Sequence, residues 1–518
     1  MTNIDFIVVG IYMVALISLA LYVSREKPGH QKNTNDYFLA GNDLPWWAIG
    51  ASLIAANISA EQIIGMSGSG YVIGLGIASY EWMSAITLII VGKYMLPIFL
   101  KRKIFTMPQF LEQRYDHRVK TTLAIFWLSV YVFVNLTAVL WLGALAINTI
   151  TGVQLEYGLV FLVVFAIVYS LYGGLKAVAL TDIVQVVLLV IGGSYLTYMS
   201  LDLLGNGNGA MSGFLHMTQE LPDKFDMILS PDSPHYANLP GISVLIGGMW
   251  VMNFSYWGFN QYIIQRTLAA KSLREGQKGI MMAAFLKLFM PLIVVVPGIA
   301  AIMLVPDLDR PDQAYPHLMS MMPEGFRGLV FAALIAAVVS SLGSMTNSIA
   351  TIFTMDLYSH HRPEKSQAHY VFIGRMVGLI ALIVAMLTAK PLLGQFDQAF
   401  QYIQEFTGFF TPGIVVLFVL GMFWSKTTAS AGLTAAIASA VLSVGLKFFW
   451  PELPFMDRVG LVFILCLAAA IVISLIENGG RHKNAVALDD INFSTATSYN
   501  VAAVAVILVV VALYVVWW

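Results

Sequence analysis

Long apolar runs separated by short polar segments dominate this chain of 518 residues. Runs of 17 to 25 mainly apolar residues are long enough to cross a bilayer as helices. Their positions predict about fourteen spans, at 4–23, 45–66, 77–100, 121–150, 155–175, 180–203, 241–265, 279–305, 325–355, 371–389, 397–424, 428–449, 457–476 and 497–518. The pattern therefore predicts an all-α polytopic membrane protein.

The second run, residues 44–66, is interrupted by polar side chains deep in its apolar sequence. They are Asn57, Ser59, Glu61 and Gln62. Ionisable and amide groups are costly at membrane depth and mark ion or solute paths, and unwound backbone occurs there only where it lines a cavity. We expect a helix that is broken near these residues.

A second polar cluster lies in the seventh run. It comprises Asn253, Ser255, Tyr256, Trp257, Asn260 and Gln261. Gly258 offers a place where this helix could also unwind. Each break lies in the first helix of a five-helix set, at 45–203 and at 241–424. Both sets belong to a single membrane domain, 1–518, which also contains an N-terminal helix at 4–23 and three C-terminal helices at 428–518. Paired broken helices are typical of inverted-repeat transporters, so we expect a LeuT-like 5+5 inverted repeat.

Composition narrows the function class. The chain is 58% apolar and 11% charged, whereas soluble domains carry about 25% charged residues. The single cysteine, Cys466, excludes a disulfide framework. The sequence shows no His/Cys metal cluster, activated nucleophile or phosphate-binding glycine loop, so we do not expect an enzyme. The net charge of −1 gives no indication of a nucleic-acid partner, and no obligate protein partner is evident.

Most of the 28 Lys and Arg residues lie in loops on the side away from the N-terminus. By the positive-inside rule that side is cytoplasmic, and an even number of spans places both termini outside. Because Met1–Val8 has no basic segment, the first span is expected to be retained. The loops at 204–240 and 306–324 are interpreted as connectors or as lids.

Several further polar residues lie within spans. Glu81 and Ser84 share one helix face, and Lys287 needs a partner or a wet cavity. Each intramembrane polar residue could be a helix contact or a ligand, and the clustering favours ligands.

An oxygen-only cluster lies in the ninth run. Ala337, Ser340 and Ser341 share one helix face, and their oxygens suit a hard monovalent cation. Carbonyls freed near Ala55 and Ile58 could complete the coordination of this cation. Serine pairs also bond back to their own helix, so the residues alone leave both interpretations open.

Distinctive motifs run through nearly the whole chain: DYFLAGNDLPWWAIGASLIAANISAEQIIGMSGSGY, ASYEWMSAITLIIVGKY, YGGLKAVALTDIVQV, GFNQYIIQRTLAAKS, FAALIAAVVSSLGSM and QAFQYIQEFTG. They resemble the sodium/solute symporter family, most closely its bacterial sodium/galactose symporters. The resemblance implies sodium-coupled uptake of a neutral hexose, galactose or glucose-like, across a bacterial inner membrane by alternating access.

The resemblance also implies roles for individual residues. Sodium would bind the carbonyls of Ala55, Ile58 and Ala337 and the hydroxyls of Ser340 and Ser341. Sugar hydrogen bonds would come from Gln62, Glu81, Ser84, Asn253, Lys287 and Gln404. Tyr256 would stack on the sugar ring as the inner gate, supported by Trp257 and Asn57, and Met66, Tyr80 and Phe400 would close the outer side. Asp182 would lie on the sodium exit route, or is an interfacial helix-start carboxylate.

Alternative functions remain open from the sequence. The solute could instead be myo-inositol, a sialic acid or proline, although Glu81 favours a neutral polyol. A membrane sugar sensor that does not transport is less favoured, because the chain contains no soluble output domain.

Overall fold

The protein is a bundle of helices. The computed structural model describes residues 1–23, 42–396, 398–477 and 480–518, with the backbone alone described at 20, 21, 23 and 169–182. Within these ranges the β-type pairing is limited to an isolated bridge between Leu44 and Ala270. The predicted all-α class agrees with this architecture.

The helices follow the predicted apolar runs. Those of the first half are Asn3–Val23, Trp46–Asn57, Glu61–Ile73, Leu75–Arg102, Met107–Arg114, His117–Thr151 and Leu155–Leu204. Those of the second half are Ala210–Glu220, Ile242–Ile246, Gly248–Phe254, Ser255–Phe259, Gln261–Leu268, Leu273–Leu304, Ala314–Ser320, Phe326–His361, Gln367–Leu393, Ala399–Gly408, Thr411–Phe423, Ala429–Phe449, Phe455–Glu477 and Thr497–Val516, with short 3₁₀ turns at Pro222–Lys224, Pro311–Gln313 and Leu488–Asp490.

Among the described residues, nine helices are long and apolar enough to cross a membrane, or eleven if each of two bent pairs is one span. Shorter apolar helices lie at Asn3–Leu19 and Leu155–Val168. The predicted spans at 155–175 and 180–203 both fall within Leu155–Leu204. The total of fourteen spans stays a prediction.

One helix forms the centre of the bundle. Phe326–His361, which we call the serine helix, is 94% buried along its most apolar segment, whereas Thr497–Val516 is 28% buried. It packs against Leu155–Leu204, Asn3–Val23 and Trp46–Asn57. The predicted ion ligands of the serine helix therefore lie in the protein interior rather than against lipid.

The predicted break in the second run is present. Trp46–Asn57 and Glu61–Ile73 meet at an angle of 55°, and together we call them the first broken helix. Ile58 leaves the helical region with ψ 67°, and the Ser59 amide donates to the Asn57 carbonyl at 2.7 Å. In a continuous helix that amide would donate to the Ala55 carbonyl. The break thus exposes backbone oxygen beside polar side chains.

The seventh run is broken as well. Gly248–Phe254 continues as a π-helical turn, Ser255–Phe259, and Asn260 then adopts an extended conformation (ψ 122°) before Gln261–Leu268. We call Gly248–Leu268 the second broken helix. Its end adjoins the start of the first broken helix, because the Lys271 amide donates to the Leu44 carbonyl at 3.1 Å.

Both long loops pack against the first broken helix. Gly74 ends this helix with a φ of +99°, and a Cβ there would lie 2.3 Å from the Lys224 carbonyl. A Cβ on Gly68 would lie 2.5 Å from the Asp312 carboxylate, whose other oxygen accepts from the Ala399 amide at 2.9 Å. Segments of both loops are therefore in contact with the helix that carries the candidate site.

Candidate solute and ion site

A cavity lies between the two broken helices, near both breaks. It is lined by Asn57, Glu61, Gln62, Tyr80, Glu81, Asn135, Met252, Asn253, Ser255, Tyr256, Trp257, Asn260, Phe400, Ile403, Gln404, Thr407 and Thr411. About 50 Å³ of it is open to the centres of water molecules, enough for a few waters. A sugar ring needs more room, so binding requires the surrounding helices to separate.

Glu81 is the centre of the polar network. Its Oε1 accepts from the Gln62 amide at 2.5 Å, and its Oε2 accepts from the Lys287 ammonium at 2.6 Å. Lys287 and Glu81 are 0% and 1% exposed, so their ion pair is fully desolvated. The Lys287 ammonium also lies 4.7 Å from the centre of the Trp257 ring, within cation–π distance.

Asn57 connects this ion pair to the second broken helix. Its carbonyl oxygen accepts from Lys287, and its amide nitrogen donates to the Tyr256 hydroxyl at 3.2 Å. Tyr262 donates to the same hydroxyl at 2.8 Å. The break in the first helix is thereby connected through one side chain to both Lys287 and Tyr256.

Buried polar atoms without a hydrogen-bond partner among the described residues gather around the cavity. They are the Tyr80 hydroxyl, Asn135 Oδ1, Asn253 Nδ2 and the Thr407 hydroxyl. Buried polar groups are nearly always paired in proteins, so a cluster of unpaired ones needs an explanation. A ligand rich in hydroxyl groups, or water in its place, would satisfy both the donors and the acceptors.

Aromatic rings close the cavity on two sides. Tyr80 and Phe400 meet edge to face with centroids 5.1 Å apart, and Phe400 packs on Gly65, beside Met66. On the other side Tyr256 meets the ring of Trp257 at 5.0 Å and that of Tyr262 at 5.9 Å. The predicted outer and inner gate residues thus form two separate aromatic contacts.

The candidate ion ligands lie where the serine helix crosses the first broken helix. Ala55, Ile58, Ala337, Ser340 and Ser341 are all buried. The Ser341 hydroxyl donates to the Ala56 carbonyl at 3.3 Å, a long hydrogen bond. The contact brings a serine hydroxyl of this helix to the backbone beside the break, and the sodium ligands stay a prediction.

Not every predicted solute residue lines the cavity. The Ser84 hydroxyl donates to the Glu81 carbonyl at 2.6 Å, and Met66 is fully buried beside the outer aromatic contact. Lys287 reaches the cavity through Glu81 and Asn57 rather than directly. The side chain of Asp182 and residues 36–41, which form the DYFLAG segment, lie outside the part of the chain that the structure describes.

Sequence reasoning missed several lining residues. Asn135 is a lone amide within an apolar run, a signal of the same kind that drew attention to Lys287. Thr407 and Thr411 are spaced i, i+4 on adjoining helices, too common a pattern in membrane proteins to single out. Glu61, which the sequence placed among the polar residues of the break but not among the sugar-binding residues, lies on the cavity wall with Gln404 Nε2 3.4 Å from its carboxylate.

Comparison with known proteins identifies the family. The model of the sodium:solute symporter family matches residues 37–439. The chain belongs to this family. A sodium/glucose cotransporter from Vibrio parahaemolyticus is 52% identical to this symporter. The match covers 99% of this chain and 98% of the relative. Sodium/myo-inositol cotransporter 2 from Sus scrofa is 32% identical over 86% of the symporter and 71% of the relative.

A solved structure shares the fold. A Na⁺-coupled sialic acid symporter in a substrate-bound, outward-open state superposes with a TM-score of 0.79, covering 92% of the symporter and 98% of that chain at 23% identity. The predicted fold class is therefore confirmed, as are a transport rather than an enzymatic function and sodium as the co-transported ion. The symporter is a multi-pass membrane protein.

Proposed function

We propose that the protein carries a neutral hexose, of the glucose or galactose type, into the cell together with sodium. The observation that carries this proposal is the cavity at the two helix breaks, where carboxylate, amide and hydroxyl groups surround aromatic rings. A sugar hydroxyl both donates and accepts hydrogen bonds, so its site needs both kinds of partner. An aromatic face packs against the apolar C–H side of the sugar ring.

Gln62, Glu81, Asn253 and Gln404 are proposed as direct hydrogen-bonding partners of the sugar. When the sugar binds, Gln62 turns away from Glu81, and Glu81 Oε1, which accepts from Gln62 in this structure, accepts from a sugar hydroxyl instead. The unpaired Asn253 Nδ2 is a donor that needs no such rearrangement.

Lys287 and Ser84 are proposed in supporting roles. Lys287 fixes Glu81 and Asn57, and it donates to the sugar when the cavity opens. The Ser84 hydroxyl holds the Glu81 backbone from one turn away.

The charged groups of the proposed site distinguish between neutral and carboxylated solutes. Glu61 and Glu81 face the cavity region together with the single ammonium of Lys287. A sialic acid or proline would bring a carboxylate toward two others, and like charges in a desolvated site repel strongly. The cotransporters of glucose and of myo-inositol among the relatives handle neutral polyols. We therefore favour a hexose, with myo-inositol as the alternative within the same chemistry.

We propose that sodium binds the carbonyls of Ala55, Ile58 and Ala337 and the hydroxyls of Ser340 and Ser341, and leaves past Asp182. Sodium bridges the serine helix and the first broken helix. This favours the state in which the sugar groups are aligned, and the sets 45–203 and 241–424 then rock to expose the cavity on the other side.

The proposed membrane is the bacterial inner membrane with both termini outside. One sodium ion entering across 100 mV supplies about 2.3 kcal/mol, and a tenfold gradient adds about 1.4 kcal/mol. Together these accumulate an uncharged sugar by roughly several hundredfold at one-to-one coupling.

Uptake into proteoliposomes tests this function. With an inward sodium gradient and an inside-negative potential, the purified protein should accumulate labelled glucose or galactose above the external concentration. Replacing sodium by potassium or collapsing the gradient should remove the accumulation. Unlabelled hexoses, myo-inositol, proline and sialic acid are then added as competitors. Sodium-independent equilibration would contradict symport, and competition by proline or sialic acid alone would contradict the hexose assignment.

Tyr256 provides a test of ring stacking. Tyr256→Ala removes the ring and should abolish transport, whereas Tyr256→Phe should retain it with a KM raised by no more than about tenfold, about 1.4 kcal/mol. Tyr262→Phe is the matched control, because it removes a hydrogen bond to the same hydroxyl from a residue outside the cavity wall. Equal loss in the alanine and phenylalanine variants would assign the role to the hydroxyl instead.

A further inference from the structure

Three ionisable side chains that do not line the sugar cavity meet at the end of the serine helix. Glu112 belongs to Met107–Arg114, His117 begins His117–Val130, and His360 lies in the last turn of the serine helix. One potential ligand atom from each lies within 4.8 Å of the other two. The imidazole rings of His117 and His360 stack with centroids 4.0 Å apart.

His117 and Glu112 direct an imidazole nitrogen and a carboxylate oxygen toward each other. His117 Nδ1 lies 3.6 Å from Glu112 Oε1, beyond hydrogen-bond distance. This nitrogen is buried and has no hydrogen-bond partner among the described residues. The other ring nitrogen, Nε2, lies 3.2 Å from the Thr121 hydroxyl. With the ring proton on Nε2, a lone pair on Nδ1 points toward a carboxylate oxygen, and a positive ion between them would stabilise both.

The surrounding groups form the outer shell that metal sites commonly have. Ligating imidazoles usually donate their second N–H to an oxygen, a role that the Thr121 hydroxyl can fill for His117 Nε2, and ligating carboxylates are themselves hydrogen-bonded. The second oxygen of Glu112 accepts from Lys120 at 2.5 Å. Buried Asp356 lies near Glu112 and Lys120.

We propose that Glu112, His117 and His360 form a binding site for a divalent transition-metal ion of the zinc class. Two imidazoles and one carboxylate match the ligand set that zinc accepts, and a fourth position stays open to water. Tetrahedral bonds of about 2.0–2.1 Å place ligand atoms about 3.3 Å apart, close to the 3.6 Å between His117 and Glu112. His360 must rotate out of the ring stack to complete the site. Calcium and magnesium prefer oxygen ligands and fit less well.

The location connects the site to the helix that carries the candidate sodium ligands. A bound ion would tie the end of the serine helix, which carries Ser340 and Ser341, to the helices that contain Glu112 and His117. This cluster was not predicted from the sequence, because some 240 residues separate His117 from His360 along the chain and only the fold brings them together.

Zinc binding to the full-length protein, purified in detergent without a polyhistidine tag and stripped with a chelator, tests this proposal. One zinc ion per chain is expected by equilibrium dialysis, with a rise in Tm on adding Zn²⁺ and none on adding Mg²⁺. His360→Ala should weaken zinc binding at least tenfold and remove the rise in Tm. His360 is exposed, so its replacement should leave the apo Tm unchanged.

His361→Ala is the matched control, because His361 neighbours His360 in sequence but its Nδ1 contacts the Leu357 carbonyl at 2.8 Å. This variant should bind zinc as the unmodified protein does. The proposal is wrong if the unmodified protein binds no stoichiometric zinc, if His360→Ala binds it unchanged, or if His361→Ala loses it equally.

Discussion

Replacing Lys287 by alanine is expected to abolish sodium-driven sugar uptake and to lower the stability of the purified protein. The substitution removes the partner of Glu81 Oε2 at 2.6 Å and a donor to Asn57. It leaves the Glu81 carboxylate charged and buried at 1% exposure. Breaking a buried ion pair in this way costs about 3–5 kcal/mol. Thermal unfolding and proteoliposome uptake measure the two effects.

A double variant separates the effect on folding from the effect on transport. Lys287→Met combined with Glu81→Gln removes both charges, so it should recover much of the stability but not the uptake. Lys447→Ala is the control for loss of a lysine from an ion pair. Lys447 is 40% exposed, and its partner Glu405 keeps a second contact to Arg458 at 3.0 Å. Its loss should change stability by no more than about 1 kcal/mol. Normal uptake by Lys287→Ala would remove this residue from the proposed site.

The breaks in the helices were predictable because they depend on local sequence. Asn57 and Glu61 lie in an apolar run, and Gly258 lies among polar residues, so an energetic conflict is visible within a few positions. The two breaks appear in the structure near those positions, at Ile58 and Asn260.

Pairings across the bundle could not be predicted in the same way. Lys287 lies 206 positions from Glu81, and its sequence neighbours are apolar. Both Glu61 and Glu81 lie in apolar runs far from Lys287, and only the fold shows that Glu81 is its partner. Asn135 likewise shows no periodicity that distinguishes a cavity residue from one that joins two helices.

The contacts at the first break indicate how ion and sugar binding could be coupled. The Ala56 carbonyl accepts from Ser341 of the serine helix, and the next residue, Asn57, contacts Lys287 and Tyr256. Two adjacent residues of the last helical turn before the break, within Trp46–Asn57, thus face the proposed ion site and the proposed sugar site. A shift of this turn toward sodium would move Asn57 relative to Tyr256. Such a shift gives a direct physical route by which one solute alters the affinity for the other.

Replacing Ser341 by alanine is therefore expected to remove the sodium dependence of transport while leaving the protein folded. The hydroxyl is fully buried, and its hydrogen bond to Ala56 is long at 3.3 Å, so its loss should lower stability by no more than about 1 kcal/mol. Uptake measured against sodium concentration should show no sodium-driven accumulation, and sodium should no longer raise the Tm. Ser348→Ala is the matched control, because Ser348 lies two turns further along the same helix, is equally buried, and donates to Gln265 at 3.0 Å. The control should keep the half-saturating sodium concentration of the unmodified protein. If Ser341→Ala keeps it as well, the Ser341 hydroxyl is not a sodium ligand and the coupling must pass through other oxygens of the break.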